Sequence, residues 1–354
     1  MYPSSSTASA SALPWQSQSA ALLGWALIVV LMLGYAIGID RTFVVDQGNY
    51  VSNFSWDPSL EWLDNLNPKE LSLQALIVGI FSEEVLWHVW TTSLGSLLEP
   101  TTAVIVTVCV LNLLIALSVA RLPDPVLPLV IWLVLPVGFA VLGLSLLRQG
   151  FAFAVMLCIT LRFHRPVLGT LVAAAIHTTF ALVLPFAIIA WLCSRRRFLG
   201  VVLAVALGFG AAYAGGMLFE AFGGRRLQTY DANAPDASSI FYLMGALLCC
   251  LPAVFRLASP APSGEPAAES RTLADLALIH VGVIAFVATS FFVFPLGTGR
   301  VGYLSMLLLI PLLPTIRRRD NVLGMLIFSL LGLYLSYLAV KTYLDGGYDI
   351  YFRA

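Results

Sequence analysis

A few ionisable side chains stand out in this chain because almost everything around them is apolar. Asp46 opens the run DQGNYVSNF, where Asp46, Tyr50 and Phe54 recur every four residues, the spacing of one helix face. A carboxylate held there can take a proton from a sugar hydroxyl, and the ring beside it can stack on the sugar. A solvated loop aspartate beside an interfacial tyrosine would show the same spacing. Arg148 and Gln149, in SLLRQGFAFAV, stand at the mouth of an apolar stretch with no further charge until Arg162. An arginine fork donates two parallel hydrogen bonds to a phosphate and stays cationic, although at the end of a span it also snorkels to headgroups. Gln149 can orient that guanidinium or a bound molecule.

The other candidates are sparser. His177, in AAAIHTTFALVLP, can take or give a proton near neutrality, or sit buried and neutral against a helix carbonyl. Arg300 follows FPLGTG, where Gly297 and Gly299 free the backbone for a tight turn that lets amides approach an anion. Glu83 and Glu84 precede LWHVW at the depth of an interfacial aromatic belt, and Glu83 reads as solvated. The loop GGRRLQTYDANAPDASS offers Arg225, Arg226 and Tyr230 to a sugar-binding groove, without diagnostic spacing.

The elements that must position these groups are apolar helices. Hydrophobic residues make up 59% of the 354, charged residues 11%, and mean hydropathy is +0.90, which is the composition of a polytopic membrane protein. The length accommodates about nine to eleven membrane segments in an all-α bundle of one domain, 20–354, behind a Ser- and Ala-rich disordered tail, 1–19. That tail lacks the basic n-region of a secretory signal, so the first apolar run reads as an uncleaved span. A first outer loop over 39–100 and a Pro-, Ser- and Ala-rich cytoplasmic linker over 258–273 punctuate the bundle, and no internal repeat is evident. Zero net charge and scattered basic residues argue against nucleic acid. The five cysteines lie in apolar segments without metal spacing, so no metal site, cofactor or disulfide frame is indicated.

Two stretches decide the threading. Residues 71–98 carry Glu83, Glu84 and His88 in their middle, and 167–193 carry His177, Thr178 and Thr179. If both cross once, Arg148 is cytoplasmic. If 71–98 stays on the outer side and 167–193 dips in and returns, Arg121, Arg162 and Arg165 join Arg195 to Arg197, Arg256, Arg271 and Arg317 to Arg319 inside, 11 of the 19 basic residues. The positive-inside rule prefers this second threading, with a re-entrant element at 167–193. It puts Asp46, Glu84, Arg148 and Arg300 on the outer side, with His177 at the deep turn.

DQGNYVSNF after the first span, the Glu84 segment, RQGFAFAV, AIHTTFALVL and PLGTGRVGYL occur in an order that resembles the EpsG family of exopolysaccharide polymerases, over about residues 20–316. The first loop departs from the family pattern, its Asp-Tyr core loosened to DQGNY. The resemblance implies a multi-pass protein of the bacterial inner membrane that joins polyprenyl-pyrophosphate-linked oligosaccharide units on the outer face, for exopolysaccharide, capsule or O-antigen. Membrane lipid and a chain-length regulator are the further partners implied. The family's polar positions fall on Asp46, Tyr50, Glu84, Arg148, His177 and Arg300. Arg148 and Arg300 suit the pyrophosphate, and Asp46 or Glu84 the base, with His177 as an alternative proton carrier. A polyprenyl-phosphate-sugar-dependent glycosyltransferase, for which Asp40 and Asp46 form a loose match, and a lipid-linked oligosaccharide flippase are the competing readings.

Overall fold

The computed structural model describes residues 14–40, 44, 46–66, 72–122, 124–135, 137–222, 240–258, 266–293, 298–317, 322–344 and 349. Its regular elements are helical. In chain order they are α1 (Pro14–Gly38), α2 (Gln47–Trp56), α3 (Leu73–Ser82), α4 (Val85–Gly95), α5 (Pro100–Val119), α6 (Val126–Val134), a π-helix (Gly138–Ser145), α7 (Leu147–Phe163), α8 (Pro166–Ile176), α9 (Leu184–Leu192), α10 (Arg197–Phe222), α11 (Ile240–Ala258), α12 (Ala267–Val293), α13 (Thr298–Leu307), α14 (Leu309–Arg317) and α15 (Val322–Leu344). Short 3-10 turns follow α2 and α8. α1 begins inside the stretch read as a tail, and α12 begins inside the stretch read as a linker.

Among the described residues four helices are long and apolar enough to cross a membrane alone: α1, α5, α10 and α12. A fifth crossing arises if α6 and the π-helix, bent by 76°, count as one span. The remaining apolar helices are shorter, so the nine to eleven segments expected by length resolve into full spans and half-length pieces. α12 is the most enclosed of them: 78% of its apolar stretch is buried, against 22% for α10 and 17% for α1, which lie at the periphery of the bundle.

Lipid is as apolar as leucine, so close backbone approach has to supply the attraction between spans. Along α10, Ala204, Gly208 and Ala212 repeat at four-residue intervals, and both alanines are fully buried. A Cβ on Gly208 would lie 2.8 Å from the Ala285 Cβ and from the Gly282 carbonyl, so these two helices touch nearly backbone to backbone.

The chain from 165 to 194 enters and leaves at the same end. His164 Nδ1 lies 2.8 Å from Thr272 Oγ1, and Arg271 donates to Ser194 Oγ at 2.9 Å. Both anchors belong to the first turns of α12, so α8 and α9 form the expected re-entrant hairpin. Arg256 joins the same end through Ser270. Arg121, Arg162, Arg165, Arg195 to Arg197, Arg256 and Arg271 therefore gather at one end of the bundle, and Arg148 lies at the other, as the second threading expects of these nine; Arg318 and Arg319 lie outside the described residues. Residues 71–98 likewise break into α3 and α4, with Glu84 in the left-handed region (φ 52°) between them.

Candidate active site

The chain reaches Arg148 through a π-helix, whose wide winding few sequences hold unaided. Here buried side chains hold it. Asn112 of α5 donates to the Gly143 carbonyl (3.1 Å), and Trp132 of α6 donates to Asn112 Oδ1 (3.0 Å). Gln47 of α2 donates to the Leu144 carbonyl (2.8 Å). Leu146 (φ −80°, ψ 63°) ends the winding, and α7 starts at Leu147 without a side chain of its own N-cap residue to bond its first N–H groups. The positive end of a 17-residue helix thus opens where Arg148 and Gln149 stand.

Opposite that end, α8 stops at Ile176 because His177 adopts an extended conformation (φ −149°, ψ 122°). A helix broken at membrane depth exposes backbone donors that something must accept. Glu84 Oε1 takes the Thr178 N–H (3.1 Å) and the Thr178 hydroxyl (2.9 Å), while Oε2 takes the Arg148 guanidinium (2.8 Å). His177 Nδ1 accepts the Thr179 N–H at 3.1 Å and lies 3.7 Å from Glu84 Oε1. With Nδ1 engaged as an acceptor, the neutral ring carries its proton on Nε2. The Glu84 carboxylate, 7% exposed, is thus an acceptor on both oxygens and ties three segments together.

α2 closes the third side. Tyr50 and Phe54 bury against Trp87 of α4, with ring centroids 5.7 and 6.3 Å away, and Trp87 in turn meets Phe151 of α7 at 6.3 Å. The Arg148 backbone and guanidinium lie close enough to the Tyr50 hydroxyl to act on it. Burial pushes the Tyr50 phenol above its usual range, against the pull of the Arg148 cation, so at neutral pH it is an uncharged hydroxyl.

Between these walls lies a cavity of about 460 Å³. Asp46, Asn49, Tyr50, Ser52 and Asn53 line it from α2 and its N-cap, Arg148 and Gln149 from α7, and His177 from the hairpin break. Asp46 is half-buried, with Asn49 Nδ2 3.4 Å from its Oδ1. The Arg148 side chain is 42% exposed, so its fork serves Glu84 on one side and the cavity on the other. Among the described residues no three His, Cys, Asp or Glu side chains are placed to share a metal ion.

Six of the residues singled out from sequence thus meet here: Asp46, Tyr50, Arg148, Gln149 and His177 on the walls, and Glu84 directly behind Arg148. Arg300 sits at the start of α13 with its side chain outside the described residues, and Arg225, Arg226 and Tyr230 lie outside them altogether. Sequence reasoning missed Asn49 and Asn53, although their spacing from Asp46 continues the same face of α2. It also missed the buried Asp57, which accepts from Thr91 and lies 3.1 Å from His88 Nδ1, off the line of a good hydrogen bond.

The sequence model of the EpsG family matches residues 24–352, nearly the whole chain. The chain belongs to the EpsG family. No curated protein matches it significantly, and no solved structure does. The family and the apolar helices agree on a membrane protein of the polysaccharide-polymerase type, and within the EpsG frame the cavity at the head of α7 is the candidate active site.

Proposed function

We propose that this EpsG protein polymerises lipid-linked oligosaccharides, joining repeat units carried on polyprenyl pyrophosphate at the outer face of a bacterial inner membrane. The observation that carries the reading is the pairing, across one polar cavity in an apolar bundle, of an anion-binding wall with a carboxylate. Arg148 at the positive end of α7 makes the wall, and Asp46 lines the same cavity from the N-cap of α2.

The reaction this suits is displacement at an anomeric carbon. An acceptor hydroxyl attacks that carbon and gives its proton to Asp46, a new C–O bond forms, and the C–O bond to pyrophosphate breaks. Charge then develops on the leaving oxygen, where Arg148 and the α7 dipole stabilise it. Glu84 is the positioning residue: with Oε2 on the Arg148 guanidinium and Oε1 on Thr178, it holds Arg148 and the hairpin break in register. His177 donates through Nε2. Asn49, Ser52 and Asn53 supply amide and hydroxyl partners for sugar hydroxyls. The outer-face placement draws on the eight arginines at the far end of the bundle and the positive-inside rule.

A chromosomal deletion tests this by gel electrophoresis of the surface polysaccharide. The expected result is a single repeat unit on the final acceptor, with Asp46→Asn giving the same pattern at normal protein abundance. Full-length chains in the deletion strain, with no second polymerase encoded, would overturn the reading. Loss of all outer sugar would point to a flippase instead.

A further inference from the structure

We propose a second binding site, for a phosphate ester, at the end of the bundle opposite the Asp46 cavity. The two sites are the two ends of α7: Arg148 opens one, and Arg162, about 21 Å along the helix at 1.5 Å per residue, lines the other. A cavity of about 170 Å³ lies there between the last turns of α5 and α7 and the first turn of α12. Arg121 and Arg162 line it from the two helix ends, and both are exposed. Pro266, Ala268 and Glu269 line it from the start of α12, whose 27 residues aim a positive dipole end at the same space. Its size suits a phosphate with its first ester carbons.

The third wall is fixed in place. Thr272 donates its hydroxyl proton to the Ala268 carbonyl (2.8 Å), so the contact between Thr272 Oγ1 and His164 Nδ1, also 2.8 Å, has the imidazole as donor. This sets the ring at the cavity wall with Nε2 as its remaining polar atom. Glu269 opposes an anion. Its charge is outweighed, because Arg121 and Arg162 face the cavity and the next residue, Ser270, holds the Arg256 guanidinium at 2.9 Å through Oγ and 3.1 Å through its carbonyl. Positive-inside sorting alone would scatter arginines over this surface. It does not call for two of them, from helices some 40 residues apart, to converge on one concavity with a helix start.

Two sources present such a phosphate: the headgroup of an anionic lipid and a soluble phosphate. Thermal unfolding of the full-length protein in nanodiscs separates them. One arm compares phosphatidylcholine discs with discs containing phosphatidylglycerol; the other titrates inorganic phosphate into phosphatidylcholine discs. We expect the midpoint to rise in at least one arm, and Arg121→Gln and Arg162→Gln each to weaken the apparent affinity by about fivefold, the weight of one arginine near a charged headgroup. Arg195→Gln, an equal loss of charge on the same exposed surface, should leave it unchanged. All variants should unfold at the parent midpoint in phosphatidylcholine alone. No rise in either arm, or an equal loss in Arg195→Gln, overturns the proposal. The rise appearing only with phosphatidylglycerol assigns the site to lipid; the rise with inorganic phosphate assigns it to a soluble anion.

Discussion

At the residue scale the site turns on one guanidinium with three obligations. Arg148 pairs with Glu84, reaches the Tyr50 hydroxyl and still presents a face to the cavity. A planar fork with five donors can meet all three at once, where a lysine offers one compact point charge. Arg148→Lys keeps the charge and the fold but has to abandon at least one charge-assisted hydrogen bond. Turnover of lipid-linked repeat units by the purified variant should fall by roughly 10- to 100-fold, the equivalent of losing one such bond, with unchanged protein yield. Arg148 and Gln149 were legible from sequence because charge at the head of an apolar run is conspicuous, and Asp46 with Tyr50 because their spacing is that of a helix face. The occupation of Glu84 was not legible. Its partners Thr178 and Arg148 lie 94 and 64 residues away, and no local pattern announces that a carboxylate will be consumed by a helix break.

At the element scale the unusual feature is the π-helix that delivers α7. The Gly150 position is so tight that a Cβ would stand 2.0 Å from the Leu142 carbonyl oxygen and 3.0 Å from Leu111 Cδ1. Gly150→Ala therefore has to push the π-helix away from α7 and so displace Arg148 and Gln149. Overpacking of this kind costs about 1 to 3 kcal/mol, and thermal unfolding in detergent should show it. Activity should fall further than the loss of folded protein explains. Periodicity could not disclose this element, since an eight-residue apolar run reads equally as α-helix, strand or π-helix. What selects the π form is tertiary: the Asn112 and Gln47 amides take the Gly143 and Leu144 carbonyls. The hairpin at 167–193 was legible only through a sum over distant arginines, because its own sequence fits one long helix or two short ones equally well.

At the scale of the whole molecule the chain is polar at two ends and apolar between them. Arg148 and Asp46 mark one end, and eight arginines from Arg121 to Arg271 mark the other. Single cysteines placed at Asn53 and at Arg165 in a cysteine-free background should report opposite sides of the membrane to an impermeant thiol reagent in intact cells and inverted vesicles. Asn53→Cys is expected to react from outside and Arg165→Cys from the cytosol. Both reacting from one side would remove the topology on which the outer-face reaction depends. The five native cysteines, Cys109, Cys158, Cys193, Cys249 and Cys250, form no disulfide, so removing them deletes no covalent bond.

The hairpin also constrains how the protein is made. α8 and α9, at 11 and 9 residues, are each too short to partition into a bilayer alone, and the anchors at their outer ends, Thr272 and Arg271, lie roughly 80 to 110 residues further along the chain. A ribosome that has just added His177 has yet to synthesise the helix that anchors the two ends of this hairpin. The break at His177 and the Glu84 contacts are built from residues before 194, but the outer ends of the hairpin gain their anchors only once α12 has emerged, so a nascent EpsG chain halted before residue 267 holds every residue of the cavity without the clamp on the hairpin that carries His177.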